Sequence, residues 1–353
     1  MSNARSFMLG ALLKRVSRSF YLTIRVLPVG MREPVGLAYL LARAADTIAD
    51  TPLIAPEKRM ELLTSLRDQV NGLPDPEALA RIKAEVASRQ KDSGEKVLLE
   101  SLEPALEALS QLDGADREAV RNIVATLTMG MAFDLRTFPN ESSGRIGALQ
   151  EFAELDRYTY LVAGCVGEFW TQMTCAHVPG AFAAPRETML ERGVGFGKAL
   201  QMTNVLRDCG KDLRIGRCYL PAAMLARLGL TPPDLLAPDA SQRARPLLFE
   251  LAGKSLERFR EAVEYTLALS RSSIRLRLAC LWPVLIGLET LLLLVGNKAW
   301  LDPAKAAKVP RGKVYRIMGC SLLLVASNRL LRIWLERLIA GIESRANLAK
   351  HRD

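Results

Sequence analysis

Two segments of the chain carry paired carboxylates at a spacing of four residues. Asp46 and Asp50 form one pair, and Asp208 and Asp212 form the other. Residues four apart lie on one face of an α-helix, so each pair would present two neighbouring carboxylates. These like charges repel each other, and a divalent cation relieves the repulsion. Mg²⁺ suits the position because it binds carboxylates together with water and substrate phosphates. The spacing therefore predicts a magnesium site built from two helices.

Each aspartate pair continues a polar stripe along its predicted helix. The two stripes consist of Tyr39, Arg43, Asp46 and Asp50, and of Gln201, Asn204, Asp208 and Asp212. Arg43 and Arg207 accompany the two pairs, and a guanidinium can hold two oxygens of a phosphate at once. The stripes therefore predict a bound diphosphate, held by Mg²⁺ and arginine together.

The composition predicts an all-α protein. Of the 353 residues, 49% are apolar and 24% are charged, which is typical of a globular chain. Runs of alternating β-branched residues are absent, whereas Leu, Ala, Arg and Glu are abundant. No repeat of fixed period and no linker composition interrupts the chain. We therefore expect a single domain over residues 1–353, with flexible ends at about 1–8 and 345–353.

Other kinds of chemistry are disfavoured by the residue counts. The two histidines, His177 and His351, argue against a His-ligated metal site or a catalytic triad. The six cysteines form no C-x-x-C pair, which is typical of a reducing compartment and predicts a cytoplasmic protein. The formal net charge of +10 favours anionic partners. Because the basic residues are dispersed and follow no known module, nucleic acid is not expected among them.

Membrane contact is expected to be peripheral. The apolar stretch Leu281–Val295 is about fifteen residues long, shorter than the ~20 residues that a spanning helix needs. It contains Pro283 and Glu289, which favour a core helix. Contact with the inner face of the cytoplasmic membrane stays open, and the sequence indicates no oligomeric state.

Breakers and glycines predict the boundaries of the helices that carry the stripes. Pro28 is expected to end one helix and Pro34 to begin the next. Phe152–Ala176 and Gly195–Arg214 are each predicted to form one helix. The segment Gly193–Gly197 has the look of a phosphate loop, but no strand precedes it, so close helix packing is the preferred interpretation.

Four segments together carry a resemblance to a known family. They are Ser17–Phe20, Ala38–Asp50, Tyr160–Gly167 and Asn204–Pro221. Their order and separations resemble the squalene/phytoene synthase family from about residue 10 to about residue 290, and more loosely to the end. The resemblance implies an isoprenoid-synthase helical bundle around a central cavity.

The resemblance also implies an activity. Members join two prenyl diphosphates head to head, and one branch joins two farnesyl diphosphates and reduces the presqualene diphosphate formed to squalene with NADPH. We prefer that branch, and two alternatives remain. The chain could stop at presqualene diphosphate or form phytoene or dehydrosqualene without reduction, or it could be a non-catalytic, membrane-peripheral helical scaffold.

The resemblance assigns roles to residues in each matching segment. Mg²⁺ would be held by Asp46, Asp50, Asp208 and Asp212. Diphosphate oxygens would be bound by Arg43, Arg207 and Arg217, with Gln201 and Asn204 as neutral partners. A flap that excludes water would be formed by Ser17, Ser19 and Phe20. Outside these segments, the basic loop after Trp300 offers Lys308, Arg311 and Lys313 as candidates for binding the phosphates of NADPH or of the substrate, and a solvated run of charges is the alternative.

A tyrosine is expected to direct proton loss or to shield a carbocation with its ring face. Tyr160, just before the Val-Ala-Gly segment, is the first candidate. Leu161 stands where some members have a tyrosine, which leaves Tyr158 and Tyr39 open as alternatives.

Overall fold

The computed structural model describes residues 3–17, 20–72, 75–139 and 143–350. Helices make up nearly all of the regular structure in these residues, which confirms the prediction of an all-α chain. The chain divides into two compact units, which comprise residues 1–136 with 169–179, and residues 137–168 with 180–353. The expected single domain with flexible ends stays a prediction.

The first unit contains the helices of the N-terminal part of the chain. They are α1 (Asn3–Phe7), α2 (Leu13–Ser17), α3 (Phe20–Val26), α4 (Val29–Ala49), α5 (Pro56–Asn71), α6 (Pro76–Glu85), α7 (Ser93–Glu100), α8 (Leu102–Ser110) and α9 (Gly114–Thr137). A π-helical turn at Met8–Leu12 joins α1 to α2, and a 3₁₀ turn at Ala87–Arg89 follows α6.

The second unit holds the longer C-terminal helices and two short strands. Its elements are β1 (Gly147–Ala148), α10 (Phe152–Thr159), the first part of α11 (Cys165–His177), α12 (Arg186–Arg214), β2 (Arg217–Cys218), α13 (Ala222–Ala226), α14 (Ala240–Arg243), α15 (Arg245–Ala268), α16 (Ile274–Gly296), α17 (Arg311–Leu324) and α18 (Asn328–Lys350). A π-helical turn at Tyr160–Gly164 joins α10 to α11, and 3₁₀ turns lie at Pro232–Leu236 and Pro303–Lys305. The two strands are parallel, with Gly147 opposite Arg217.

Helix α4 begins earlier than the prolines predict. It starts at Val29, directly after Pro28, and Pro34 lies inside it. A proline inside a helix removes one backbone donor, here the partner of the Gly30 carbonyl. Because Pro34 is only the sixth residue of the helix and is itself buried, the packing of the following apolar turns outweighs that loss.

Two further boundaries differ from the sequence prediction. The expected helix Phe152–Ala176 is interrupted by the π-helical turn between α10 and α11, and α12 begins at Arg186 rather than at Gly195. The glycines 193–197 therefore lie inside a helix, so the phosphate-loop interpretation is wrong.

These glycines allow α12 to pack against the chain from Ala163 to Gly167. A Cβ added at Gly197 would lie 2.0 Å from the carbonyl oxygen of Ala163, and one at Gly167 would lie 1.8 Å from that of Gly193. No side chain fits at such distances, so the predicted close helix packing is confirmed. The contact fixes the π-helical turn against the helix that carries the second aspartate pair.

Helix α16 is longer than the apolar stretch suggests. It has 23 residues, an 18-residue window of it has a mean hydropathy of 2.2, and its length and composition would allow it to cross a membrane. Within this window, 72% of the residues are buried inside the structure, as in the core helix of a globular protein. Pro283 lies inside this helix as well.

Candidate functional site

The first aspartate pair lies at the carboxyl end of α4. Asp46 is in the last turn, and Asp50 follows the helix and donates its backbone N–H to the Asp46 carbonyl over 2.9 Å. The opposite face of α4 carries buried Leu41, Ala45 and Ile48, each at most 1% exposed. This apolar packing fixes the rotation of the helix, so that the predicted polar stripe faces away from the core.

Arg43 lies between two carboxylates of the first unit. It donates to Asp46 on its own helix and to Glu95 in the first turns of α7. Glu95 was not found by sequence reasoning, because it lies 52 residues from Arg43 and belongs to no recognisable spacing. The pairing holds the guanidinium beside Asp46 and keeps its charge next to the aspartate pair.

The pKa of the Asp46 carboxyl group is raised above its ordinary value. Partial burial, together with the nearby Asp50 carboxylate, raises the pKa of Asp46 to about 6, and Arg43 opposes this shift only in part. An additional cation at this position would stabilise the charged form. The donor chemistry of the pair therefore fits Mg²⁺, which prefers carboxylate oxygens and keeps some of its water.

A second arginine supports the end of α4 from within the first unit. Arg59, on α5, is 4% exposed and donates from Nη1 to the carbonyl of Ala49 over 2.7 Å. The carbonyls of the last helical turn have no partner within the helix, so this bond satisfies one of them between Asp46 and Asp50. No sequence pattern pointed to this residue.

The predicted flap is only partly described. Ser17 is buried, and its Oγ donates to the Leu13 carbonyl over 2.5 Å, so its hydroxyl is engaged within α2. Tyr39 donates its hydroxyl to the Val16 carbonyl over 3.3 Å, which connects the polar stripe of α4 to this segment. Ser19 lies outside the described residues, as does the side chain of Phe20.

The second aspartate pair lies on α12. Arg207 binds the Asp208 carboxylate with two bonds, Nε to Oδ1 at 3.0 Å and Nη2 to Oδ2 at 2.5 Å. Asn204 donates to Gln201 over 3.3 Å, one turn earlier on the same face. Asp212 follows Asp208 by one turn and is half-buried. The structure thus places the second stripe together on one helix, as predicted.

The segment Trp300–Leu301 contacts α12 before, between and after its two aspartates. The buried Trp300 donates from Nε1 to the Leu206 carbonyl over 2.7 Å. A Cβ added at Gly210 would lie 2.3 Å from the Leu301 carbonyl oxygen, so only glycine permits this approach. Arg214 donates to the same Leu301 carbonyl over 3.2 Å. Sequence reasoning missed this support, although a glycine between two aspartates was a possible signal.

Arg217 reaches its position through a turn after α12. The helix ends at Arg214, and Gly216 has a φ of +88°, a left-handed conformation that favours glycine. Arg217 then enters β2 and pairs with Gly147 of β1. The turn places a half-buried arginine a few residues beyond Asp212, and its role at a diphosphate stays a prediction.

Tyr160 opens the π-helical turn of the second unit. Its hydroxyl donates to Oε2 of Glu168 over 3.0 Å. Desolvation and the adjacent carboxylate raise the pKa of Tyr160 to about 12. Single π-helical turns often mark functional positions, because they redirect side chains within a helix. Glu168 was not predicted, and it gives the hydroxyl a defined direction.

The three residues expected to hold the phosphates of NADPH differ in how accessible their side chains are. Lys308 and Arg311 are exposed before and at the start of α17. Lys313 instead forms an ion pair of 2.5 Å with Glu289 of α16, whose side chain is 7% exposed. Lys313 therefore has a structural partner, which leaves Lys308 and Arg311 as the more accessible cations of the predicted set.

The two aspartate pairs belong to different units of the chain. Within the part of the chain that the structure describes, no group of three or more His, Cys, Asp or Glu side chains is placed to hold a metal ion. Each pair offers two carboxylates in adjacent turns, accompanied by an arginine. Such a donor set fits a partly hydrated Mg²⁺ that is completed by a ligand, and it does not form a closed cage.

The chain is similar in sequence to a known family of enzymes. The sequence model of the squalene/phytoene synthase family matches residues 13–313. The chain is 26% identical to squalene synthase ERG9 of Saccharomyces cerevisiae over 322 residues, which cover 91% of this chain and 66% of that protein. It is 32% identical to the presqualene diphosphate synthase of Zymomonas mobilis, over 67% of both chains.

Solved structures share the fold. The structure of TcSQS with the ligand BPH1237 matches with a TM-score of 0.77 at 23% identity and covers 98% of this chain and 97% of that one. A dehydrosqualene synthase in complex with a ligand matches with a TM-score of 0.60 over 92% of this chain. Some curated relatives are longer, and the chain spans 40% of a bifunctional lycopene cyclase/phytoene synthase of Colletotrichum graminicola.

Proposed function

Because the chain belongs to the squalene/phytoene synthase family, we propose that it joins two farnesyl diphosphates head to head through presqualene diphosphate and then reduces this intermediate to squalene with NADPH. The observation that carries the proposal is the repeated pairing of an arginine with the first aspartate of each i, i+4 pair. Arg43 binds Asp46, and Arg207 binds Asp208. This arrangement suits a highly charged leaving group and the cation that accompanies it.

The proposed reaction begins with loss of diphosphate from an allylic carbon. Bound Mg²⁺ would supply the positive charge that makes diphosphate a better leaving group. Asp46 with Asp50, and Asp208 with Asp212, would each hold Mg²⁺, while Arg43, Arg207 and Arg217 would orient diphosphate oxygens. Stabilisation of developing charge by groups already in place is usually the largest contribution to catalysis. The paired arginines meet this condition because their guanidinium groups are fixed by carboxylates.

The carbocation formed in this way must be kept from water. Tyr39 contacts the segment that carries Ser17, and this contact supports a role for residues 17–20 as a cover over the reacting ends. Tyr160 presents an uncharged ring and a hydroxyl whose proton is directed to Glu168. A neutral phenol with a pKa of about 12 can shield a cation without trapping it.

The reductive step is supported by the extent of the similarity. The yeast squalene synthase matches 91% of this chain, whereas the presqualene diphosphate synthase of Zymomonas mobilis matches 67%. The match to a relative named for squalene formation thus extends over more of the chain. Lys308 and Arg311 are exposed and would bind the phosphates of NADPH, with Lys313 beside them.

Formation of presqualene diphosphate without reduction is the second candidate. It is favoured by the 32% identity to a presqualene diphosphate synthase, which exceeds the 26% identity to the yeast squalene synthase. A non-catalytic scaffold is disfavoured, because it would have no need for adjacent carboxylates that repel each other.

The condensation step is tested by incubating the purified chain with farnesyl diphosphate and Mg²⁺ and by measuring diphosphate release and presqualene diphosphate. We expect turnover to require Mg²⁺ and to fall by about 100-fold or more in Asp208→Asn. Asp68→Asn is a matched control, because Asp68 also pairs with the arginine before it, on α5. The proposal fails if the unmodified chain releases no diphosphate, or if both variants lose activity equally.

A further inference from the structure

A cavity of about 300 Å³ lies between α15 and α18 in the second unit. Its floor is apolar, and the side chains that form it are each at most 6% exposed: Phe249, Ala252, Leu256, Val295 and Ile342. None of the residues that line the cavity belongs to either aspartate pair or to its polar stripe. The volume is at the lower end of the range for small-molecule sites and suits a compact apolar body of about ten carbon atoms.

Contacts outside the cavity hold its floor in place. Arg245, at the start of α15, lies over the ring of Phe249 with its Cζ 4.6 Å from the ring centroid. The same guanidinium donates to the carbonyls of Val295 and Asn297 over 3.3 Å each. The Phe249 ring also meets the ring of Trp300, at a centroid distance of 6.1 Å. The protein's own contacts therefore form the cavity.

Gly253 keeps the cavity open along α15. It lies at the edge of the cavity and is exposed, and an added Cβ would meet no described neighbour within 4 Å. Glycine within a helix weakens the helix, and no close contact requires glycine at this position. A larger side chain here would occupy space that the fold leaves empty.

The mouth of the cavity carries more negative than positive charge. Glu257, Arg260 and Glu343 line it, and Arg260 donates to Glu343 over 2.6 Å. In the part of the chain that the structure describes, Glu257 forms no hydrogen bond and no ion pair. It is exposed and lies one turn after Gly253 on α15. One carboxylate beside the apolar floor is thus available to a cation, in a chain whose formal net charge is +10.

A compact amphipathic cation satisfies both parts of the cavity. We propose that the cavity between α15 and α18 binds a small ligand of this class, in which an ammonium group is carried by an apolar body of about ten carbon atoms. The floor accepts the apolar body, and Glu257 pairs with the ammonium group. An anion would meet the carboxylates of Glu257 and Glu343, and a neutral apolar compound would leave Glu257 without a partner. The proposal does not depend on the proposed reaction.

Trp300 offers a signal for occupation of the cavity. Its ring meets Phe249 of the floor, and its indole N–H donates to the Leu206 carbonyl. A ligand against Phe249 should shift the indole NMR signal of Trp300, which Trp300→Phe identifies by its loss. Trp282 is the internal control, because its indole donates to Ser321 and does not line the cavity.

Titration of the full chain with 1-adamantylammonium, followed by NMR, tests the proposal. We expect saturable binding with a Kd of about 1 mM or below, and a shift at Trp300 but not at Trp282. The alcohol 1-adamantanol has the same apolar body and should bind about fivefold more weakly, and adamantane-1-carboxylate should bind more weakly still. Glu257→Gln should remove the preference for the ammonium compound, whereas Glu191→Gln, at an exposed position of α12, should keep it.

A variant that fills the cavity tests where the ligand binds. Gly253→Leu should abolish binding and raise the melting temperature, because leucine is a better helix former than glycine. Gly319→Leu is the matched control, since Gly319 is also an exposed helical glycine whose added Cβ would meet no described neighbour within 4 Å, and it lies on α17. This control should bind as the unmodified chain does.

Three outcomes would overturn the proposal. The unmodified chain could show no saturable binding, or Gly253→Leu and Gly319→Leu could bind equally well. The three adamantane compounds could also bind with equal strength, which would show that the site does not select a cation. Diphosphate release, measured without these compounds, should persist in every variant, so failure of this proposal is distinct from failure of the proposed reaction.

Discussion

The hydroxyl of Tyr160 donates a hydrogen bond to Glu168 eight residues further along the chain, across the π-helical turn of the second unit. Burial first, and then the Glu168 carboxylate, raise the pKa of Tyr160 to about 12 from an ordinary value of 10.0. The hydrogen bond orients the phenol proton towards Glu168, and the ring face of Tyr160 does not take part in it.

Removing the charge of Glu168 should lower the pKa of Tyr160. Glu168→Gln takes away a negative charge that disfavours tyrosinate, so the pKa should fall from about 12 towards 10. Ultraviolet titration measures this shift, with Tyr160→Phe as the reference that identifies the signal. An unchanged titration would show that burial alone sets the acidity.

The same tyrosine should matter for turnover. Tyr160→Phe should reduce product formation by about 100-fold if the hydroxyl directs proton loss, and much less if only the ring is used. Tyr39→Phe is the informative comparison, since its hydroxyl instead contacts the Val16 carbonyl. A larger loss of product formation in Tyr39→Phe would assign the role in proton loss to Tyr39.

Asp46→Asn should stabilise the metal-free chain above pH 6. The folded pKa of Asp46, about 6, lies above its ordinary value of 3.8, so this group's contribution to stability is lost as the pH rises through 6. The variant should therefore melt at a higher temperature than the unmodified chain above pH 6, with a smaller difference below it. Mg²⁺ with diphosphate should raise the melting temperature of the unmodified chain only. Equal stabilisation of both would contradict a magnesium role for Asp46.

Trp300→Phe should disturb the second aspartate pair without unfolding the chain. It removes the bond to the Leu206 carbonyl and should cost about 1–2 kcal/mol of unfolding free energy. Because α12 is then held less firmly at Leu206, two residues before Asp208, half-maximal activity should need more Mg²⁺. Trp282→Phe also loses one indole hydrogen bond, but at α17, and should leave the Mg²⁺ requirement unchanged. An equal change in the Mg²⁺ requirement of both variants would show that Trp300 contributes only to packing.

Gly197→Ala should strongly destabilise the folded chain. The added Cβ meets the Ala163 carbonyl oxygen at 2.0 Å, so α12 must move away from the π-helical turn. We expect a loss of about 2–3 kcal/mol in urea unfolding. Gly253→Ala, where a Cβ meets nothing within 4 Å, should instead stabilise α15 by up to about 1 kcal/mol. Similar stabilities for the two variants would contradict the close helix packing.

Most features that lie on a single helix could be predicted from the sequence. Polar stripes on α4 and α12 follow from a period of 3.6 residues, so Arg43, Asp46, Arg207 and Asp208 could be grouped from their spacing alone. The all-α fold likewise follows from composition. Local spacing was sufficient because each of these groups lies within two turns of one element.

Features that depend on distant parts of the chain could not be predicted. Glu95 and Arg59 reach α4 from other helices, and Trp300 reaches α12 from 94 residues away. The predicted helix start at Pro34 is wrong, because a proline usually begins a helix whereas the packing around α4 tolerates this one within the helix. Lys313 was grouped with its basic neighbours, although buried Glu289 holds it.

Product analysis by gas chromatography, after incubation with farnesyl diphosphate and Mg²⁺ with and without NADPH, tests the proposed reaction most directly. Lys308→Ala/Arg311→Ala serves as the comparison and leaves the Lys313–Glu289 pair intact. We expect squalene only with NADPH, presqualene diphosphate without it, and a loss of squalene but not of presqualene diphosphate in the double variant. A single hydrocarbon formed regardless of NADPH, or no head-to-head product at all, would contradict the proposed reaction.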